Sequence, residues 1–319
     1  MKRMLGPSGI EVSAMGVGCW AIGGQAWRDG QAVGWGKVDD DESIRALHCA
    51  LDRGVTFLDT ADVYGAGHSE TIVGKALKGR RDQIILATKF SIMYDPETRV
   101  LSDKRTEPEY IRWACHESLR RLDTDYIDLY QFHWGDCPVD QAVGVLDTLE
   151  ELVAEGKIRY YGWSTDDLER AQCFAKGRHC VAIQQALNLF GGNFDTLAFC
   201  EEKGLASINR GPLAMGVLTG KFSHDSTLPD DDIRSRFDFK EGTWAEQIDK
   251  LNAIREILTQ DGRSLAQGAL GWLWAKSDMT IPIPGCRTVK QVEENAGAME
   301  FGPLSQSQME AIEVALGRE

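Results

Sequence analysis

The sequence predicts an α/β protein folded as one (β/α)8 barrel, and three observations carry that expectation. Eight short apolar runs punctuate the chain, helical patterns fall between most of them, and glycines recur just past the helix ends. Continuous apolar runs separated by helices imply parallel strands with a covered outer face. Eight such units in 319 residues suit a closed barrel of ~250 residues plus insertions better than a doubly wound sheet.

Residues 1–13 open the chain with a hairpin signal, LGPSGIEV, with Ser8 and Gly9 at the turn. The barrel strands then read MGVGCWAI, TFLDTA, IILATKF, YIDLYQFH, IRYYGWS, VAIQQAL, LASINRG and TIPIPG. Helical patterns cover 41–53, 69–78, 108–122, 141–155, 168–176 and 194–203. In 108–122, Ile111, Cys115, Leu119 and Leu122 recur at helical spacing, with Thr106 as N-cap. Gly54, Gly79, Gly156, Gly177 and Gly204 stand where a left-handed C-cap residue is needed. The longest irregular stretch, KFSHDSTLPDDDIRSRFDFKEG over 221–242, is a candidate lid, because loops of that length in compact domains are usually functional. Patterns at 244–260 and 264–276 read as helices added before the last strand, and 305–316 as a closing helix. The whole of 1–319 is thus expected to form a single domain.

A net charge of −14 argues against a nucleic-acid or anionic-membrane partner, since both reward a basic patch. No apolar run is long enough to span a bilayer, and the N-terminal MKRMLGPSGIEVS lacks the apolar core of a signal peptide. The eight cysteines are scattered without a C-x-x-C pair, which argues against a zinc site or a disulfide framework. A cytoplasmic protein is expected. Composition does not separate a monomer from a homo-oligomer.

A barrel enzyme builds its site from the C-terminal ends of its strands. Here those ends carry Asp59 and Tyr64, Lys89, His133, Ser164 and Thr165, and Gln184. An ammonium held near a phenol favours the phenolate and lowers a pKa of ~10, and an aspartate beside the lysine keeps it charged and in place. A neutral histidine can donate a hydrogen bond to a substrate carbonyl oxygen. These roles suit carbonyl reduction. No side chain carries hydride, so a nicotinamide cofactor is implied. His133 alone would read as a core histidine; its three companions reverse that.

At DRGVTFLDTADVYGAGHSE, TKF, SLRRLDTDYIDLYQFHW, GPLAMGVLTGKF and IPIPGCRTVKQVEENAGA the sequence resembles the aldo-keto reductase family, and INRGPLAMG resembles a bacterial branch of it that handles varied aldehydes and sugars. The resemblance implies that Asp59, Tyr64, Lys89 and His133 form the catalytic tetrad and that Ser164 and Gln184 bind the nicotinamide carboxamide. It further implies cofactor contacts from Pro212, Leu213, Gly216, Gly220 and Lys221, and from Gly285, Arg287, Gln291, Glu294 and Asn295. Thr165 replaces the family's frequent asparagine beside Ser164, and Arg210 stands where many members stack a tyrosine on the nicotinamide. Trp20 is a second candidate for covering that pocket. Arg287 or Lys290 could meet an adenosine 2′-phosphate, which favours NADP(H) over NAD(H). A small carbonyl compound is the expected partner. The rival readings are an NAD-dependent sugar or polyol dehydrogenase and a cofactor-sensing regulatory subunit.

GVGCWA satisfies a dinucleotide fingerprint, but the glycine-rich IGGQAWRDGQ that follows cannot open the required helix. Trp27, Trp35, Trp134 and Phe237 are further candidates to line a substrate pocket.

Overall fold

A computed structural model describes residues 1–318. Eight strands form the barrel: β1 (Val17–Gly18), β2 (Phe57–Asp59), β3 (Ile85–Phe90), β4 (Ile127–Phe132), β5 (Ile158–Ser164), β6 (Cys180–Asn188), β7 (Ala206–Arg210) and β8 (Thr280–Pro282). They hydrogen-bond in sequence order and all in parallel. Closure comes from backbone: the Gly16 and Gly18 N–H groups donate to the Pro282 and Pro284 carbonyls at 2.9 and 3.0 Å. A Cβ on Gly18 would lie 2.7 Å from the Ile283 oxygen, so only glycine lets the first and last strands approach this closely. A 3-10 turn, Ala21–Gly23, follows β1, not a helix.

The helices are α1 (Asp40–Asp52), α2 (His68–Leu77), α3 (Pro108–Leu122), α4 (Val139–Ala154), α5 (Leu168–Phe174), α6 (Phe194–Lys203), α7 (Gly242–Leu258), α8 (Leu265–Lys276), α9 (Val289–Phe301) and α10 (Gln306–Ala315). Two differ in role from the sequence reading. α8 packs on β8 and α9 as the regular crossover into the last strand, so it is not an addition. α9, which that reading passed over, packs against α1 and completes the outer ring. The additions are α7 and α10, which pack on each other. Thr106 is not the cap of α3: Glu107 takes the N-cap position with Pro108 at the first helical residue, where a missing N–H is harmless. Gly177 is not left-handed either; it is required because a Cβ there would sit 2.0 Å from the Tyr161 hydroxyl.

Two apolar layers result. The larger lies between strands and helices. The smaller fills the barrel and includes Phe57, Ala87, Leu129, Ile208 and Ile281, with Leu5 and Val12 of the N-terminal hairpin (Lys2–Met4 with Glu11–Ser13) closing its lower end. At the opposite mouth stand two short hairpins that the sequence reading did not anticipate, Trp27–Arg28 with Gln31–Ala32 and Ile92–Tyr94 with Leu101–Lys104. Segment 221–242 is packed rather than loose. Phe222 and Phe239 stack at 4.8 Å, and the Ile233 N–H donates to the Gly34 oxygen at 2.8 Å. Gln25 Nε2 donates to Asp231 Oδ2 at 2.8 Å, so the segment reaches across to the loop after β1. No described helix is long and apolar enough to cross a membrane.

Candidate active site

β2 and β3 deliver the first pair of functional groups. Asp59 ends β2, and Lys89, fully buried, lies near the end of the neighbouring β3. The Lys89 ammonium spends its three donors on Asp59 Oδ2 at 2.5 Å, the Thr60 oxygen at 2.8 Å and the Tyr64 hydroxyl at 3.1 Å. Asp59 Oδ1 in turn accepts from Gln131 Nε2 at 2.9 Å and Gln184 Nε2 at 2.8 Å. Tyr64 reaches this point because the chain turns against the loop after β1. A Cβ on Gly65 would lie 1.9 Å from the Gly23 oxygen, and Gly65 has φ +61°, so glycine is needed twice over.

Burial and charge set the states of these groups. Burial works against the Lys89 charge, but Asp59 and Tyr64 outweigh it and hold the ammonium above its ordinary pKa. Burial also pushes the Tyr64 phenol up; Lys89 pulls it down by less, so the phenol sits above its usual value rather than below it as the sequence suggested. His133, just past β4, is driven well below the ordinary imidazole range by burial and then by the charges of Lys89 and Arg210. Its Nδ1 is buried without a partner. The imidazole and the phenol meet edge to face with centroids 6.0 Å apart, and the Trp20 indole lies over Tyr64 at 5.9 Å and 26°.

Asp59, Tyr64 and His133 face a cavity of about 550 Å³ that runs across the barrel mouth. Ser164, Gln184, Arg210 and Trp20 line it near the phenol side. Gln184 already commits its amide N–H groups to Asp59 and to Gln131 Oε1 at 3.1 Å, leaving its oxygen to accept from Ser164 Oγ at 3.4 Å. Arg210 pairs with Asp166. Thr165 does not line the cavity: its hydroxyl donates to the Gly135 oxygen at 2.8 Å and its side chain is buried.

Farther along, the loop after β7 contributes Pro212, Leu213, Gly216 and Lys221. The loop after β8 and the first turns of α9 contribute Gly285, Arg287, Gln291, Glu294 and Asn295. Gly220 lies outside this surface, turned against Leu265. Lys290 is exposed and does not line the cavity either. Burial together with Arg234 and Arg287 brings the Lys221 ammonium down to about 8, and burial with Arg234 also lowers Arg287. Three cations crowded at one end of a cavity form a site for a polyanion.

Several residues escaped sequence reasoning. Gln131 completes the Asp59 network; like Asp59 it is a polar residue inside an apolar strand, and that signal was available. Arg234 lies at the cationic end, buried and paired with Asp232 at 2.7 Å, and sits over the Trp35 ring at 4.5 Å. The acidic run around it hid it. Of the four further pocket candidates, Trp35 lines the cavity; Trp27, Trp134 and Phe237 do not, and Phe237 stacks on Trp244 at 3.7 Å.

The Aldo/keto reductase family model matches residues 14–316. Aldo-keto reductase YhdN of Bacillus subtilis is 35% identical over 294 residues, which is 90% of this chain and 85% of the relative. The glycerol dehydrogenase of Gluconobacter oxydans has a similar structure, with a TM-score of 0.86 at 32% identity, covering 99% of this chain and 95% of that one. An aldo-keto reductase from Klebsiella pneumoniae, solved in complex with NADPH, gives a TM-score of 0.72 at 28% identity over 98% and 95% of the two chains.

Proposed function

The chain belongs to the aldo/keto reductase family, and we propose that it reduces a small aldehyde or ketone to the alcohol with NADP(H), Tyr64 supplying the proton. The observation that carries this reading is the lysine bridge: one buried ammonium holds Asp59 at 2.5 Å and the Tyr64 hydroxyl at 3.1 Å. A phenol above its ordinary pKa is protonated at neutral pH and ready to donate. Lys89 then stabilises the phenolate that remains, and Asp59 keeps Lys89 in place. His133, held neutral, can donate an N–H to the carbonyl oxygen and polarise it.

When bound, NADPH supplies the hydride for the carbonyl carbon. The cavity fits such a cofactor. Lys221, Arg234 and Arg287 would hold its phosphates, Gln291, Glu294 and Asn295 its adenosine, and Ser164 with the Gln184 oxygen its carboxamide. With Lys290 outside the cavity, Arg287 is the residue assigned to a 2′-phosphate, and the NADPH-bound relative supports that choice over NAD(H). Segment 221–242 would close over the cofactor, an assignment supported by its bonds to Gly34 and Gln25. Eight free cysteines suit a reducing compartment, so we assign the enzyme to the cytoplasm.

The test is NADPH oxidation at 340 nm over small aldehydes, dicarbonyls and open-chain sugars, beside Tyr64→Phe. Turnover in the variant is expected to fall by about 10²–10⁴-fold with NADPH binding kept. A variant that still turns over removes Tyr64 from the mechanism, and one that no longer binds NADPH gives Tyr64 a structural role instead. Likeness to a glycerol dehydrogenase favours a second reading, polyol oxidation. Faster NADP⁺ or NAD⁺ reduction with glycerol than NADPH oxidation with glyceraldehyde would support it.

A further inference from the structure

Arg28 is a cation in the cavity with nothing to bind. It lies on the rim strand Trp27–Arg28, which pairs with Gln31–Ala32 and is anchored by the Trp27 N–H donating to the Arg99 oxygen at 2.9 Å. Its side chain lines the cavity beside Val63, Ile92 and Leu101, the apolar group that packs around Tyr64. Among the described residues the guanidinium enters no ion pair, and its Nη2 is buried without a hydrogen-bond partner. Arg28 is only partly buried, but leaving the donors of this one buried nitrogen unpaired is costly unless a ligand completes them.

The other cavity cations are accounted for. Arg210 pairs with Asp166, Arg234 with Asp232, and Arg287 Nη1 donates to the Trp35 oxygen at 3.0 Å. Lys221 sits beside Arg234 and Arg287, at the end assigned to the cofactor phosphates. Arg28 belongs to the other end: its charge, with those of Lys89 and Arg210, bears on His133. Val63, Ile92 and Leu101 give this end of the cavity an apolar lining beside the phenol, and among the described residues no carboxylate pairs with Arg28. Of the cations that line the cavity, Arg28 is thus left with capacity to pair with an anionic group of a ligand.

We propose that Arg28 sets substrate specificity: the preferred substrates are small aldehydes carrying a carboxylate or phosphate a few bonds from the carbonyl, and Arg28 pairs with that anionic group while His133 and Tyr64 engage the oxygen. This rests on the reductase reading above.

Two matched substrate pairs test it: 4-oxobutanoate against butanal, and glyceraldehyde 3-phosphate against glyceraldehyde, each with NADPH. The expected result is a kcat/KM ratio well above one for at least one pair, falling about tenfold or more in Arg28→Met and partly restored in Arg28→Lys. Which pair responds separates a carboxylate from a phosphate substrate. Ratios near one in the wild type, or unchanged in Arg28→Met, overturn the inference while leaving the reductase reading intact. If none of the four aldehydes turns over, the wider panel above judges the reductase reading, and binding decides this one. Butanoate and methyl phosphate are then titrated into the NADP⁺-loaded protein and followed by tryptophan fluorescence, since Trp20 and Trp35 line the cavity. Weaker binding in Arg28→Met supports an anion site there; equal or absent binding overturns it.

Discussion

Each group at the strand ends takes its charge state from the balance between desolvation and a named neighbour. Lys89 and His133 are both buried cations by type, yet one is charged and the other neutral, because Asp59 faces Lys89 while only positive charges face His133. The neutral imidazole has a consequence for stability. Unfolding exposes a histidine with a pKa of ~6.5. Below that pH the unfolded chain binds a proton that the folded chain refuses, so the stability contribution is present above pH ~6.5 and lost as pH falls, at up to about 1.4 kcal/mol per unit. His133→Gln removes this uptake. The drop in urea midpoint between pH 7.5 and 5.5 is therefore expected to be smaller in His133→Gln than in the wild type; equal drops would mean that His133 titrates normally in the folded protein. The residues of this site were legible because Asp59, Lys89 and His133 interrupt or end apolar strands, where a polar side chain needs a reason. Arg28 and Arg234 were not, since an arginine in a polar loop resembles every other surface arginine until the fold places it against a cavity.

At the scale of elements, the cationic end of the cavity is assembled from two separate pieces: the crossing segment 221–242, with Lys221 and Arg234, and the loop into α9, with Arg287. Burial, reinforced by repulsion from Arg234 and Arg287, makes a testable device of Lys221, whose ammonium is brought down to about 8. Below that pH it is charged and, in the role proposed above, would attract the cofactor phosphates. Above it, binding must first restore the proton, so the dissociation constant for NADPH is expected to rise with pH by up to about tenfold per unit. In Lys221→Met the affinity should be weaker and flat from pH ~7 to ~9.5. A wild-type curve that is also flat would place Lys221 away from the phosphates. The eight strands were readable as apolar runs with period-free burial, and most helices as apolar stripes. α9 was not, because its buried face is Val292, Asn295, Ala296 and Ala298, small or polar residues that leave little hydrophobic stripe. α8 misled for the opposite reason: it is apolar nearly all round, as suits a helix packed on several sides, and no single face announces what it covers. The rim hairpins are two to four residues long, too short for any period to appear.

Over the whole molecule, the barrel separates stability from chemistry by placing them at opposite ends of the same strands. The hairpin enters the N-terminal end: Leu5 is fully buried among Val181, Ala182 and Ala206 at the starts of β6 and β7, and the Tyr160 hydroxyl donates to the Ser8 oxygen at 3.0 Å near the start of β5. Gly6 comes so close that a Cβ would lie 2.0 Å from the Val181 oxygen. Asp59, His133 and Ser164, by contrast, stand at the C-terminal ends of their strands or just beyond, and Gln184, midway along β6, lies level with Ser164 in the register. Leu5→Ala should therefore cost about 2–5 kcal/mol of stability through lost burial and an unfilled cavity, while kcat/KM of the folded enzyme stays at its wild-type value. Urea denaturation and steady-state kinetics on the same preparation would separate the two. Interior side chains such as Phe57, Leu129 and Ile208 form one packed layer between the hairpin and the site, so a fall in kcat/KM alongside the urea midpoint would mean that this layer transmits a defect from one end of the barrel to the other. Unchanged kinetics would mean that the layer is stiff enough to hold the lysine bridge in place without its plug.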